Sequence, residues 1–250
     1  MIQAKSLIEV ITHLDAILAL SKKHQSRIGY FAALYRRMTI AVQIGISENA
    51  FSDGKRMEHL DVMFANRYLQ AWEAYTNKQQ CTNAWCASFD ACKNNDLVVL
   101  QHLLIGINTH INLDLGIAAA DACPGEKIYD LQTDFEKINN VITSIMQAVQ
   151  DDLSEIWFPL KTLTRLTNNR HEAVLNFSIN NARKASWANA IALAAVQGEA
   201  RKNYINMIDN TVVKLTQRIM NPGFAARFML KPVLLMEDKN VGKNIDFLIK

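Results

Sequence analysis

The sequence predicts an all-α fold, a single-domain irregular helical bundle of about seven to nine helices spanning residues 1–250. Three observations indicate this. Half of the residues are hydrophobic, and only 9 Gly and 4 Pro are present, a balance typical of helical rather than turn-rich proteins. Apolar residues recur at helical spacing along most of the chain, without strand-like alternation of any length. No linker rich in Pro, Gly or Ser divides the chain.

The N-terminal part of the chain predicts four helices, each from one apolar stripe. They are expected at about 2–20, from Ile28 to Gly45, at 57–75 and at 82–92. The segment 47–54 contains Phe51-Ser-Asp-Gly and is predicted to be a loop with a turn. The polar run 77–80 closes the third helix.

A long central helix is predicted at 101–121, and the other helices are expected to pack around it. Asp96 stands where it could cap the start of this helix, and Cys123-Pro-Gly ends it. The segment is apolar enough to be buried, yet it carries two His, two Asn and two Asp. Buried polar groups are costly unless they are bonded, paired or ligated, so this helix is the first place to search for a site.

Further helices are predicted after the central one. One begins near Leu131 and breaks ahead of Pro159, 160–170 forms a connector, and two more helices occupy 171–197 and 199–220. The segment Asn221-Pro-Gly is expected to end the second of these helices. A C-terminal arm follows from about residue 223, with a short apolar segment at 228–236 and a charged tail.

Composition excludes several classes of function. The net charge of +3, without a dense basic run, does not indicate nucleic-acid binding. His, Asn or Asp interrupts the apolar runs, so no membrane span is expected, and Glu9 comes too early for a secretory signal. A cytoplasmic protein is therefore expected.

The four cysteines form no Cys-x-x-Cys pair and are predicted to be reduced thiols; they are Cys81, Cys86, Cys92 and Cys123.

The candidate site begins with His110 and Asp114, which are four residues apart and can touch on one side of a helix. Such a pair could hold two positions of a divalent metal ion such as zinc. It could equally tune the histidine as a base, or be a buried pair that only fixes helix register. His102 lies roughly 12 Å from His110 along the axis, so it would serve as an additional or indirect ligand. Asp121 is likewise too far along the helix axis from Asp114 to bind the same metal ion directly.

Other helices offer further candidates. Asp61 and Tyr68 share a face and could supply a carboxylate and a phenol to an interior cavity, although both are compatible with core or surface roles. Arg183 lies on an apolar stripe, where a buried charge needs a partner. That partner could be a bound anion or a carboxylate; the candidate carboxylates are Asp61, Asp114 and Asp134.

Several stretches together resemble a bacterial family of uncharacterised helical proteins, known only as a domain of unknown function. They are 101–120, which reads Gln-His-Leu-Leu-Ile-Gly-Ile-Asn-Thr-His-Ile-Asn-Leu-Asp-Leu-Gly-Ile-Ala-Ala-Ala, and the segments 61–71, 134–139 and 182–187. The resemblance implies one helical domain and brings no activity. The spacing of His110 and Asp114 also weakly resembles a helix of the zinc-dependent phospholipase C and nuclease group, although this chain lacks that group's other His-rich helices.

Two functional hypotheses follow. The first is a metal-dependent, hydrolase-like enzyme acting on an ester or phosphate, with His110, Asp114 and His102 as metal ligands and Asp61, Tyr68 and Arg183 as catalytic residues. The second is a non-catalytic binding or scaffold protein in which these residues are structural. A small-molecule ligand and a homo-oligomer are compatible with either one. The chain contains no Walker loop, Gly-x-Ser-x-Gly, Glu-x-x-His or His-Glu-x-x-His motif.

Overall fold

The computed structural model describes residues 2–138, 141, 145 and 170–250. Within these ranges the chain is mainly helical and contains no strand, as the sequence predicts. Ten α-helices are assigned there: α1 (Leu7–Lys23), α2 (Ile28–Ser47), α3 (Gly54–Thr76), α4 (Asn83–Ala91), α5 (Val99–Thr109), α6 (Gly116–Ala122), α7 (Arg170–Ala195), α8 (Gly198–Met220), α9 (Phe224–Met236) and α10 (Val241–Leu248). A π-helical segment, His110–Leu115, joins α5 to α6, and a 3-10 helix, Gly125–Leu131, follows α6.

The number of helices is slightly larger than predicted because the π-helical segment divides the central helix into α5 and α6 and because the C-terminal arm contains two helices, α9 and α10. A further helical stretch occupies 132–138. The remainder of the long helix predicted from Leu131, its break ahead of Pro159 and most of the 160–170 connector lie outside the described residues.

The central helix runs unbroken from Val99 to Ala122 and is packed against α2, α3, α7 and α8. Two glycines allow the closest approaches. A Cβ at Gly106 would lie 2.4 Å from the ring of Phe31 on α2, and one at Gly116 would lie 3.0 Å from the carbonyl oxygen of Ser186 on α7. A larger residue at either position would push the neighbouring helix away.

By length and composition, the central helix is also the one helix in the described ranges that could cross a membrane, in contrast to the expectation from its interrupting polar residues. In the fold, 83% of its most apolar window is buried against the rest of the chain. The core helix of a bundle meets the same criterion of length and hydropathy, so this finding is weak evidence for a span.

The structure corrects two predicted helix starts. The first helix begins at Leu7 rather than Ile2, because the Ser6 hydroxyl accepts a hydrogen bond from the Glu9 amide and caps it. At the central helix the N-cap residue is Val98, and Asp96 is exposed. The first amide, that of Val99, donates instead to the carboxylate of Glu237 at 2.8 Å.

The cysteine prediction was wrong for one pair. Cys81 and Cys86 form a disulfide at the start of α4, whereas Cys92 and Cys123 are free thiols. Disulfides persist mainly in oxidising compartments. The reduced thiols were expected from a cytoplasmic location, and that location remains a prediction.

Candidate functional site

The π-helical segment contains both members of the predicted pair. His110 Nδ1 lies 3.3 Å from Asp114 Oδ2, so the two side chains are in contact across one turn. Both are buried, with 4% of His110 and none of Asp114 exposed. Short π-helical insertions in α-helices frequently occur at functional sites.

The carboxylate of Asp114 accepts hydrogen bonds from three different helices. Arg67 Nε on α3 donates to Oδ1 at 2.8 Å, and Trp85 Nε1 on α4 donates to Oδ2 at 2.8 Å. Burial raises the pKa of Asp114, but Arg67, His110 and Trp85 together bring it below its ordinary value. Asp114 is therefore a buried carboxylate that stays ionised because its partners compensate for the lost water.

His110 is held as a neutral imidazole. Burial lowers its pKa, and the opposing effect of Asp114 does not restore it. With Nδ1–H donating to the carboxylate, Nε2 is left as a hydrogen-bond acceptor. The ring stacks on Phe64 with centroids 3.6 Å apart, and the ring of Tyr35 meets it edge-on at 4.4 Å. These aromatic rings fix the orientation of the imidazole.

On one side of His110 lies an apolar cavity of about 90 Å³, which we call the chamber. Its lining side chains come mainly from α2, α3, the central helix and α7, and they include Phe31, Tyr35, Asp61, Phe64, His110 and Arg183. A single water occupies roughly 10–15 Å³ on this measure, so the chamber has room for several waters or a small organic molecule.

Three polar atoms of chamber residues have no hydrogen-bond partner among the described residues: His110 Nε2, Asp61 Oδ2 and the Tyr35 hydroxyl. Burial raises the pKa of Asp61 to about 7. Buried polar atoms are nearly always hydrogen-bonded in native proteins, so three unpaired ones around a single cavity need an explanation.

A second cavity, larger and more polar at about 420 Å³, is lined by Asp114, and we call it the cleft. Arg67 and Trp85 line it together with Asp114. The other lining side chains are mainly polar and include one cysteine of the disulfide; among them are Gln70, Gln80, Cys81, Asn83, Asn206 and Asp209. The hydrogen bond between His110 and Asp114 thus joins a group that lines the chamber to one that lines the cleft.

Two predicted site residues lie elsewhere. His102 and Tyr68 border a separate cavity of only about 10 Å³, together with Cys92. Burial lowers the pKa of His102 to about 4, so it is a neutral core histidine, and it packs against the ring of Tyr30 at 5.8 Å. Tyr68 is fully buried and contacts Phe31 edge-on. Neither one joins Asp61 at the chamber.

Arg183 lines the chamber and contacts Phe135 in two ways. Its Nη2 donates to the carbonyl oxygen of Phe135 at 2.6 Å, and its guanidinium lies over the Phe135 ring at 4.5 Å. Burial lowers the pKa of Arg183 to about 9. Two of its predicted carboxylate partners are engaged with other cations, Asp114 with Arg67 and Asp134 with Arg56.

The predicted metal site is not supported. Across the part of the chain that the structure describes, no three His, Cys, Asp or Glu side chains are grouped as metal ligands. Asp114 already accepts bonds from Arg67, Trp85 and His110, and His102 borders a different cavity. A divalent ion at this carboxylate would have to displace the guanidinium.

Sequence reasoning missed Arg67, Trp85 and Phe64, which hold the pair in place. One signal for Arg67 was available, because it is the only Lys or Arg between Glu58 and Thr76. The only cation in this long part of a helix is a natural partner for a buried carboxylate. No comparable signal distinguished Trp85 or Phe64 from ordinary core residues.

A model for a family of unknown function, DUF5995, matches residues 7–222. The chain belongs to this family. Its matched region includes the whole central helix and both cavities, and it ends just before α9. No curated protein and no solved structure matches the chain, and the weaker resemblance to zinc-dependent phospholipase C is not supported by any of these comparisons.

Proposed function

We propose that this member of the DUF5995 family binds a small, largely apolar molecule carrying one hydrogen-bonding group in the chamber. The observation that carries this proposal is that His110 and Asp61, which line one apolar cavity, each have a polar atom without a hydrogen-bond partner among the described residues. Ligand pockets are typically apolar with a few convergent polar groups that fix orientation.

The polar groups define the kind of ligand. A neutral His110 with its proton on Nδ1 offers an acceptor at Nε2, so it fits a hydroxyl or N–H donor on the ligand. Asp61 has a pKa of about 7, so near neutral pH it exists in both protonation states and can donate or accept. A molecule with one hydroxyl on an apolar body satisfies both residues.

Phenol and toluene form a matched pair of probes, because they differ mainly in a hydroxyl replacing a methyl group. We expect phenol to bind about five- to thirtyfold more tightly, since a hydrogen bond to a buried group without a partner among the described residues contributes on the order of 1–2 kcal/mol. Titration followed by NMR of the histidine side chains measures both affinities. His110→Phe should remove the preference for phenol.

Asn206→Ala is the control variant, because Asn206 lines the cleft and not the chamber. It should leave the preference for phenol unchanged. Equal affinity for the two probes in the unmodified protein, or an unchanged preference in His110→Phe, would contradict the proposed site.

A second candidate function is acid–base catalysis on such a ligand, favoured by the hydrogen bond between Asp114 and His110. A carboxylate that holds the Nδ1–H of a histidine fixes its tautomer and prepares Nε2 to accept a proton. The hydrolysis of an ester or phosphate would use His110 as this base. Among the described residues no set of ligands supports the metal-dependent version. Hydrolysis of phenyl acetate that is lost in His110→Phe but retained in Asn206→Ala would establish this function.

A further inference from the structure

Helix α9 begins two residues after the end of the region that matches the family. It carries the most exposed large apolar side chains in the described part of the chain: Phe224 is 88% exposed, Leu235 is 83% exposed and Phe228 is 69% exposed. Exposed apolar groups that cluster on one element usually indicate an interaction surface.

These three side chains lie on one side of the helix. At about 100° per residue, Phe224, Phe228 and Leu235 fall within about 40° of one another. Val233 falls on the opposite side and is buried against the domain, with 5% exposed. The inner side of the helix thus packs against the domain, and Phe224, Phe228 and Leu235 face outward.

The charged residues of α9 lie beside the stripe and have one sign. Lys231 falls about 20° from Phe224, Arg227 falls about 60° from it, and both are exposed. The sequence of α9 contains no Asp or Glu. The outer surface of the helix therefore combines aromatic and aliphatic side chains with positive charge.

We propose that α9 docks the protein onto a lipid surface that carries negative charge. A short helix with Phe and Leu on one face and Lys or Arg beside them lies in the plane of a membrane interface. There the apolar groups enter the acyl boundary, while the cations meet anionic headgroups. The alternative, pairing with α9 of a second copy, would bring the cations of both helices together with no carboxylate on either helix to offset them.

Vesicle sedimentation with the full-length chain tests this. We expect binding to vesicles of phosphatidylcholine mixed with phosphatidylglycerol, and weaker binding to phosphatidylcholine alone. Phe224→Ser combined with Phe228→Ser should reduce the binding constant at least about a hundredfold, because each buried aromatic contributes at least about a factor of ten. Arg227→Glu combined with Lys231→Glu should remove the preference for phosphatidylglycerol.

Two control variants change exposed apolar residues on other elements, Tyr129→Ser and Met207→Ser. Both should bind vesicles as the unmodified protein does, and far-UV circular dichroism checks that every variant remains folded. Equal binding by the α9 variants and these controls would overturn the proposal. So would an absence of vesicle binding combined with concentration-dependent dimerisation that the paired Phe→Ser change removes.

Discussion

The chamber and the cleft are lined by the two members of one hydrogen-bonded pair, His110 and Asp114, and they differ in size and polarity. The chamber is small and apolar, and polar atoms of His110 and Asp61 have no partner there among the described residues. The cleft is larger and more polar, and Asp114, which lines it, has a hydrogen bond to each oxygen. A group with a partner indicates a structural role, whereas groups without a partner among the described residues indicate a binding place where the cavity has room for a ligand. The two ring nitrogens of His102 also have no such partner, but the cavity beside them measures only about 10 Å³.

The strongest test of this contrast is Asp114→Ala. We expect the free energy of unfolding to fall by about 3–5 kcal/mol, because Arg67 and Trp85 would lose the acceptor that compensates their burial. Urea unfolding followed by circular dichroism measures the change. Asp114→Asn keeps an acceptor for Trp85 and should lose less.

Asp121→Ala is the matched control for Asp114→Ala. Asp121 lies on the same helix and pairs with Arg201, but it is 42% exposed. A partly exposed pair of this kind contributes at most about 1 kcal/mol. Similar losses in the two alanine variants would show that the interior carboxylate is not a structural centre.

Asp61→Leu should have the opposite effect on stability. Folding raises the pKa of Asp61 from 3.8 to about 7, so its contribution is complete below pH 3.8 and is lost as pH rises through about 7. At pH 8 the leucine variant should be more stable by about 2–4 kcal/mol, and its advantage should shrink as pH falls towards 4. It should also bind phenol more weakly.

Urea unfolding of Asp61→Leu and the unmodified protein across this pH range provides the measurement. A variant that is less stable at every pH would mean that Asp61 has a structural partner, in which case the chamber would resemble the cleft. A gain in stability together with a loss of binding is the pattern expected of a residue retained for function.

The disulfide provides the smallest and most selective test. Cys81→Ser combined with Cys86→Ser opens a short loop, so the free energy of unfolding should fall by at most about 2 kcal/mol. Since Cys81 lines the cleft and not the chamber, the affinity for phenol should change less than twofold, about 0.4 kcal/mol. Fluorescence-detected melting and the phenol titration measure the two effects. A large loss of phenol affinity would show that the cavities are coupled through α4.

The sequence predicted those features that depend on neighbouring residues. Apolar periodicity was sufficient for the all-helical fold and the central helix, and a spacing of four residues was sufficient to bring His110 to Asp114. The site roles of Asp61 and Arg183 stay predictions, although both residues line the chamber.

Partners that are distant in the chain could not be predicted from local patterns. Arg67 donates a hydrogen bond to Asp114 from 47 residues away in the chain. At the start of the central helix, the carboxylate that accepts from the Val99 amide is that of Glu237, 138 residues further along the chain, and not that of Asp96. Which of several carboxylates meets which cation depends on how the helices pack. A helical wheel at a constant angle also does not apply within the π-helical segment, where the turn is wider.

The π-helical segment also makes the chamber sensitive to chain length. A π turn closes over five residues where an α-helix closes over four, so it behaves as an α-helix that has accepted one extra residue. Deleting one residue between His110 and Asp114 would let this turn become α-helical while the helix on either side keeps its place. Gly116 would keep its position against α7, but His110 and Asp114 would be only three residues apart and their contact would change. A deletion here therefore tests the pair without disturbing the packing of α6.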